Sequence, residues 1–165
     1  MVSSSDAIEA LTHDSPTTGI PAVAFSGASG SPTAWNVRTP AYSTVYAQLA
    51  TQFTSALLTA GPEPYLPSNI YLNVNFPASS STSCSSAADF RFVLSRIYSA
   101  LPILTPKDVV TCNNGGRLPT ESSIVGKSGC YVSVSVGKAS TKGDASAVEQ
   151  QAVLTRLRGV LTCLP

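Results

Sequence analysis

Two asparagines share one face of the strand-like segment "IYLNVNFP" at residues 70–77. Apolar residues alternate there with Tyr71, Asn73 and Asn75, and a proline ends the segment, which is typical of a β-strand. Asparagine is depleted in strands because its amide competes for backbone hydrogen bonds, and a buried amide needs a partner. The two amides therefore either line a ligand cleft or hold neighbouring loops in place, and the second role is the commoner one for buried amides.

A hydroxyl group follows another apolar run, "GIPAVAFSG" at residues 19–27. Ser26 lies at the carboxyl end of this predicted strand, and ligands of open α/β sheets bind outside the carboxyl ends of the strands. Ser26 therefore either lines a substrate cleft or caps the turn into the next loop. The string "SGASGS" at 26–31 has the small residues of a phosphate-binding loop without its lysine, and a flexible strand-to-helix loop is the simpler interpretation.

Metal-assisted chemistry needs two or more oxygen ligands that converge on one cation. Asp6, Glu9, His13 and Asp14 lie close in sequence, and a predicted helix over 5–13 puts Glu9 and His13 on one face. Most such surface pairs are only solvated. His13 is the only histidine, which excludes a multi-histidine zinc site. No G-x-S-x-G motif supports a serine triad.

The composition excludes several classes of function. A chain of 165 residues with 43% hydrophobic residues predicts one folded domain. Only 12% of the residues are charged and the net charge is +1, so we expect neither nucleic acid nor an anionic membrane as a partner. No apolar run approaches the roughly 20 residues of a membrane span.

Four cysteines without C-x-x-C spacing favour two disulfides over a zinc site, provided that the compartment is oxidising. Four cysteines allow three pairings, of which we expect Cys84 with Cys112 and Cys130 with Cys163. Disulfides predict secretion, yet the start of the sequence has neither the basic nor the apolar region of a signal peptide. Either the thiols are free in the cytosol, or a segment that carries the signal is missing.

The remaining patterns alternate between helix and strand. An apolar stripe over 42–60, followed by glycine, predicts a helix. Strands are predicted at 70–76, within 88–100 and at 130–137, and the string "SAVEQQAVLTRLRGVL" at 146–161 predicts an amphipathic helix. A stretch rich in Pro, Gly and Asn at 101–129 predicts a long loop or an extended arm. This order indicates a layered α/β domain.

The chain resembles the SurE-like phosphatase/nucleotidase family, in particular its secreted, fungal acid-phosphatase-like branch. The resemblance lies in the strings "GIPAVAFSG", "PYLPSNIYLNVNFP" and "CYVSVSVG" and in the predicted helices between and after them. The resemblance extends from Gly19 onward, and "LNVNFP" is its most specific part. It implies a layered α/β/α, Rossmann-like SurE-type sheet with a protruding loop or β-arm at 101–129. It further implies hydrolysis of phosphomonoesters such as nucleoside monophosphates with Mg²⁺ or Mn²⁺, assembly into homo-oligomers, and Ser26, Asn73 and Asn75 as substrate-site residues.

The sequence departs from this family at the metal site. The acidic N-D-D-G turn that precedes the "GIP" strand in SurE-like enzymes is absent, and the string "VSSSDAIEA" replaces a glycine-rich turn. We therefore expect one SurE-like domain over 1–165 that is incomplete at its amino terminus, as in a truncated gene model, a fragment or a degenerate copy. We expect it to bind no metal and to be inactive alone.

Two other functions stay open. The chain is alternatively a non-catalytic oligomerisation or binding module that docks on another subunit through residues 101–129. An extracellular hydrolase of unrelated mechanism has only the disulfide argument in its favour. In the same segment, Arg117 and Lys127 either contact a phosphate of a neighbouring subunit or are ordinary solvated charges.

The resemblance also predicts neighbours within the sheet. The strands "PAVAF" and "YLNVNF" should lie side by side, with a free sheet edge next to them. On the helix at 42–60, we expect the side chains of Leu49, Phe53 and Leu57 to be only partly covered. The predicted result is a marginally stable chain that self-associates.

Overall fold

The computed structural model of the protein describes residues 20–165. The predicted helix at 5–13 and the cluster of Asp6, Glu9, His13 and Asp14 lie outside this range. Within it, strands alternate with helices, and the predicted α/β class is confirmed.

The described residues form six strands and three α-helices. The strands are β1 (Ala22–Gly27), β2 (Ile70–Phe76), β3 (Arg91–Ser95), β4 (Tyr131–Lys138), β5 (Gly143–Asp144) and β6 (Leu161–Thr162). The helices are α1 (Ala41–Thr59), α2 (Glu121–Val125) and α3 (Ala147–Arg156). The helix predicted at 146–161 thus ends earlier, and residues 161–162 pair with β3 instead. No helix in the described range is long and apolar enough to cross a membrane.

All six strands belong to one sheet, with the order β1-β2-β4-β3-β6 and with β5 paired to β4. The predicted contact between "PAVAF" and "YLNVNF" is confirmed, because β1 and β2 are parallel neighbours. The next pair, β2 and β4, is antiparallel, whereas β3 is parallel to both β4 and β6. The sheet therefore consists of two parallel groups that run in opposite directions. Within residues 20–165, β1 has a strand partner on one side only, which leaves the predicted free edge.

The apolar core lies between the sheet and helices α1 and α3. The stripe of α1 faces this core because its apolar residues recur every four positions. Leu49 and Phe53 are 0% exposed and Leu57 is 3% exposed. The expectation that these three side chains are only partly covered is therefore wrong: the Phe53 ring, for example, packs 5.3 Å from that of Phe92 and 5.9 Å from that of Phe25. The described residues cover this helix face without any further chain.

The predicted loop at 101–129 is irregular except for α2. It forms no β-hairpin, and it packs closely on the rest of the molecule: Asp108, Val109, Leu118 and Ile124 are all buried. Its large exposed apolar side chains are Leu101, Ile103 and Leu104 in the turn at 101–105, together with Val110. Most of the segment is therefore part of the folded body.

The two disulfides are present, but the expected pairing is wrong. Cys84 is bonded to Cys130 and Cys112 to Cys163, with Cα–Cα distances of 5.5 and 5.4 Å. The cause is the antiparallel contact between β2 and β4, which brings the loop after β2 to the beginning of β4, where Cys130 lies. The parallel pair of β3 and β6 carries Cys163 to the segment that follows β3, which contains Cys112.

A buried ionic cluster holds the segment after β3. The Arg96 guanidinium donates to Asp108 Oδ2 at 2.9 Å and to Asp144 Oδ2 at 3.2 Å, and only 4% of the arginine side chain is exposed. Gln150 of α3 donates to Asp108 Oδ1 at 3.0 Å and accepts from the Val109 amide at 2.8 Å. Each charge is thus paired and hydrogen-bonded, which is the condition under which buried ions are tolerated.

We expect Asp108→Ala to lower the free energy of unfolding by roughly 3–5 kcal/mol, because it removes one of the two carboxylates that balance the buried Arg96 charge and also leaves the buried Leu118 amide without its acceptor. The matched control is Lys138→Ala, which removes the more exposed ion pair with Glu149 (3.2 Å) and should cost less than about 1 kcal/mol. Urea unfolding measures both changes. An equal loss of unfolding free energy in the two variants would contradict the prediction that the buried cluster stabilises the protein more than the exposed ion pair does.

Candidate functional site

Polar side chains form two rows across the sheet face that is opposite α1. In the first row, Ser26 of β1 pairs with Asn75 of β2, which pairs with Ser133 of β4. In the second row, Asn73 pairs with Ser135, and the latter pairs with Ser95 of β3. The alternation of strand residues places these side chains on one face, because the apolar residues between them point to the core. The sheet thus has one apolar face and one hydroxyl- and amide-rich face.

Helix α2 brings a carboxylate to this polar face. The Thr120 side chain accepts from the Ser123 amide and begins the helix, and the Glu121 amide donates to the Arg96 carbonyl at 3.0 Å. Asn73 Nδ2 donates to Glu121 Oε1 at 2.7 Å. Since Asn73 is only 3% exposed, this bond satisfies a buried amide and fixes α2 on the sheet.

A cleft of about 270 Å³ opens beside this contact. Among its lining residues are Ser26, Asn75, Glu121 and Ser122. The Asn75 amide donates a long hydrogen bond, of 3.4 Å, to Ser133 Oγ, and its side chain also lowers the pKa of Glu121 through a hydrogen bond. Two of the three predicted site residues therefore line one cleft, while Asn73 lies beneath it and supports Glu121.

The electrostatics of the cleft depend on Glu121. Burial raises the pKa of this carboxyl above its usual value, hydrogen bonds from Ser135 and Asn73 lower it in part, and the Asp144 charge raises it further. The cleft lining contains no Lys, Arg or His among the described residues. A dianionic phosphate would therefore meet hydroxyl and amide donors and one carboxyl, without a neutralising positive side chain.

The oxygen atoms of the cleft are metal ligands of the type that Mg²⁺ and Mn²⁺ prefer, because they belong to carboxylate, amide and hydroxyl groups. They include a single carboxylate, however, and residues 20–165 contain no group of three His, Cys, Asp or Glu side chains that could hold a metal ion. Glu121 also accepts a hydrogen bond from Asn73 with one of its oxygens. The described residues alone therefore do not fit a complete hydrolytic metal site.

The small-residue string at 26–31 is a loop fixed to its neighbours. The amide of Ala28 donates to the Phe76 carbonyl at 3.0 Å, and the Ser29 amide donates to Tyr46 Oη at 3.0 Å. A side chain at Gly27 would clash with the Tyr46 ring, which lies 2.4 Å from the position of a Cβ. These amides are already bonded within the protein, which favours the loop interpretation over a phosphate cradle.

The two basic residues singled out in the sequence lie outside the cleft lining. Arg117 donates to the carbonyls of Pro106 and Thr105, at 2.6 and 2.9 Å, and so holds its own segment. Lys127 is exposed, two residues after Val125 of the cleft wall. Glu121, by contrast, was not identified from the sequence, although a threonine followed by an acidic residue is a helix-start signal.

Comparison with protein-family models, with curated proteins and with solved structures finds no match for this chain. The resemblance to SurE-like enzymes therefore rests on the sequence strings alone.

We expect Glu121→Gln to stabilise the protein relative to the wild type as the pH rises. A carboxyl whose pKa is raised by folding contributes stability below its unfolded pKa, and this contribution is lost as the pH rises through the folded pKa. Glutamine cannot ionise and can still accept from Asn73. Urea unfolding measures this across a pH series that starts below the usual glutamate pKa. The free energy of unfolding of Glu121→Gln should increase relative to that of the wild type as the pH rises.

Glu149→Gln is the matched control. Slight burial raises the pKa of Glu149, but hydrogen bonds from the Ser146 hydroxyl and amide and from Lys138 outweigh it, so the net pKa is lowered. The ionised Glu149 therefore stabilises the protein above its unfolded pKa, and this stabilisation is lost as the pH falls. The free energy of unfolding of Glu149→Gln should thus decrease relative to that of the wild type as the pH rises, which is the opposite of the change expected for Glu121→Gln. The same slope for both variants would contradict the environment assigned to Glu121.

Proposed function

We propose that this chain is a SurE-like phosphomonoesterase domain in which Ser26, Asn75 and Glu121 face the substrate, a phosphomonoester such as a nucleoside monophosphate. One observation carries the proposal. Ser26, one residue before the end of β1, lies directly opposite Asn75 in β2, and both residues line the same cleft. The two strings on which the family resemblance depends are thus the two strands that form the cleft wall.

The position of the cleft supports the proposal. It lies at the carboxyl ends of two parallel strands, where open α/β sheets bind their ligands. Helices α1 and α3 cover one face of the sheet and α2 lies on the other, and we propose that this arrangement is a partial SurE-type α/β/α layering. The two disulfides are typical of proteins that fold in an oxidising compartment, which supports secretion.

Each cleft residue has a defined task in this proposal. The Ser26 hydroxyl and the Asn75 amide donate hydrogen bonds to phosphate oxygens, and Asn73 holds Glu121 at the rim. Glu121 is the one carboxylate among the described residues of the cleft that would hold a divalent metal, which would supply positive charge to the phosphate and activate or orient water. Because residues 20–165 contribute one carboxylate to the cleft, we propose that they do not hydrolyse phosphomonoesters alone and that a metal site requires carboxylates from outside this range.

The alternative function, a non-catalytic oligomerisation or binding module, is favoured by the exposed apolar turn at 101–105. The turn and the cleft involve different residues, so the two functions are compatible with each other.

We expect the purified chain to release no phosphate from p-nitrophenyl phosphate or nucleoside monophosphates, with Mg²⁺ or Mn²⁺, above a blank of buffer and metal. The reason is the single carboxylate of the cleft. A colorimetric phosphate assay measures this. A rate that disappears with EDTA and returns with metal would contradict the assigned inactivity.

Substrate binding is a separate prediction. Adenosine monophosphate should shift the backbone NMR signals of Gly27, Asn75 and Ser122, because its phosphate accepts hydrogen bonds from the Ser26 hydroxyl and the Asn75 amide. Asn75→Ala should abolish the shifts, whereas Asn36→Ala, an exposed asparagine outside the cleft, should not. Shifts located elsewhere, or unchanged in Asn75→Ala, would contradict the proposed function.

A further inference from the structure

The turn at 101–105, the apolar turn, exposes three large aliphatic side chains. Leu101 is 58%, Ile103 99% and Leu104 78% exposed. No charged residue occurs between positions 97 and 106. Large exposed apolar groups that lie together mark interaction sites more often than they contribute to the fold of their own chain.

The apolar turn is held in one conformation by hydrogen bonds. The Thr105 amide donates to the Leu101 carbonyl at 3.0 Å, and the Leu101 amide donates to Thr105 Oγ1 at 2.8 Å. Arg117 fixes its base through the Thr105 and Pro106 carbonyls. A preorganised turn loses little conformational entropy when it docks.

Ile103 adds an independent sign of function. Its φ is +71°, in the left-handed region that β-branched residues rarely adopt. Neither burial nor packing compensates this strain, because the side chain is almost completely exposed. Strained residues that the fold does not require occur mainly at functional sites.

An apolar cavity of about 360 Å³, the edge pocket, lies between β3, α3, β6 and residues 111–119. Its apolar lining consists of Val93, Leu94, Leu118, Leu154, Leu161 and Leu164. The side chain of Asn114, also in the lining, is already bonded to the Thr111 and Gly116 amides and to the Val109 carbonyl. A cavity of about 150 Å³ takes a benzene-sized group, so the edge pocket has room for about two aliphatic side chains.

The apolar turn and the edge pocket are adjacent on the molecule. Arg117 lines the pocket and also holds the base of the turn. In a symmetric dimer, a protruding group and the cavity that receives it must lie on the same surface of each subunit, on either side of the two-fold axis. The adjacency of turn and pocket meets this condition.

We propose that two copies of this chain form a symmetric dimer in which the apolar turn of each subunit docks into the edge pocket of the other. The pairing matches an uncharged turn with a pocket whose wall is mostly aliphatic. It gives the docking function a defined partner, a second copy, and rests on that alternative function alone. It is independent of the cleft at Ser26 and Asn75, which lies among other residues.

The test compares the oligomeric state of three variants by analytical ultracentrifugation. Ile103→Asp places a charge on the turn, and because aspartate tolerates the left-handed region better than isoleucine does, this variant should fold at least as well as the wild type. Leu164→Asp places a charge in the pocket wall. Val148→Asp is the control, since Val148 is 80% exposed on α3 and lies outside the turn and the pocket lining.

We expect the wild type and Val148→Asp to be dimers, and the two other variants to dissociate with a dissociation constant raised by roughly 100-fold. The docked contact occurs twice per dimer, and loss of one buried aliphatic side chain weakens association by at least about tenfold. A mixture of Ile103→Asp and Leu164→Asp retains one intact contact per mixed pair, so it should form dimers more tightly than either variant alone.

Three results would overturn the proposal: a monomeric wild type, a dimer that both variants leave intact, or a mixture that associates no better than its components. Binding of a monomeric wild type to neutral phosphatidylcholine vesicles, lost in Ile103→Asp, would assign the apolar turn to a lipid surface and would also overturn it. None of these results affects the cleft, whose test is the binding of adenosine monophosphate.

Discussion

The buried ion pairs of Arg96 with Asp108 and Asp144 hold together the part of the chain that leaves the sheet after β3. They join three parts of the chain, namely the end of β3, the irregular segment at 101–129 and strand β5, whose Asp144 lies 48 residues after Arg96. The Asp144 carboxylate also accepts from the amide of Ile97, at 2.6 Å. Because a buried guanidinium is costly unless its charge is balanced, this cluster admits few other arrangements of the chain that leaves the sheet.

The cluster determines where α2 lies and therefore what the cleft contains. The Arg96 backbone accepts from the Glu121 amide and donates to the Pro119 carbonyl, at 3.0 and 2.9 Å. These bonds direct α2 across the polar face, where Asn73 receives Glu121. The asparagines of β2 thus have different roles: Asn73 is a support, and Asn75 faces the cleft. A carboxyl with a raised pKa and neutral donors can orient a phosphate, but hydrolysis needs more positive charge than these residues provide.

Residues 101–129 serve two surfaces at once. Their buried side chains, such as Leu118 and Ile124, complete the body of the domain, while the turn at 101–105 stays outside it. Arg117 connects the two, because it binds the carbonyls at the base of the turn and lines the neighbouring pocket. The proposed docking surface lies apart from the proposed substrate cleft, so the two proposed functions need not compete.

The local elements follow from the residue pattern of the sequence. The four-residue spacing of Leu49, Phe53 and Leu57 predicts α1, and the alternation of Asn73 and Asn75 with apolar residues predicts both β2 and its polar face, because such periodicities follow from the geometry of helix and strand. The family-like strings also predicted that β1 and β2 are neighbours. Tertiary contacts, by contrast, determine the direction of β4, the disulfide partners of Cys84 and Cys112, and the position of Glu121. The disulfides and the contact of Glu121 with Asn73 join residues 46 to 51 positions apart, and these contacts depend on strand direction and on buried charge pairing, which no local pattern encodes.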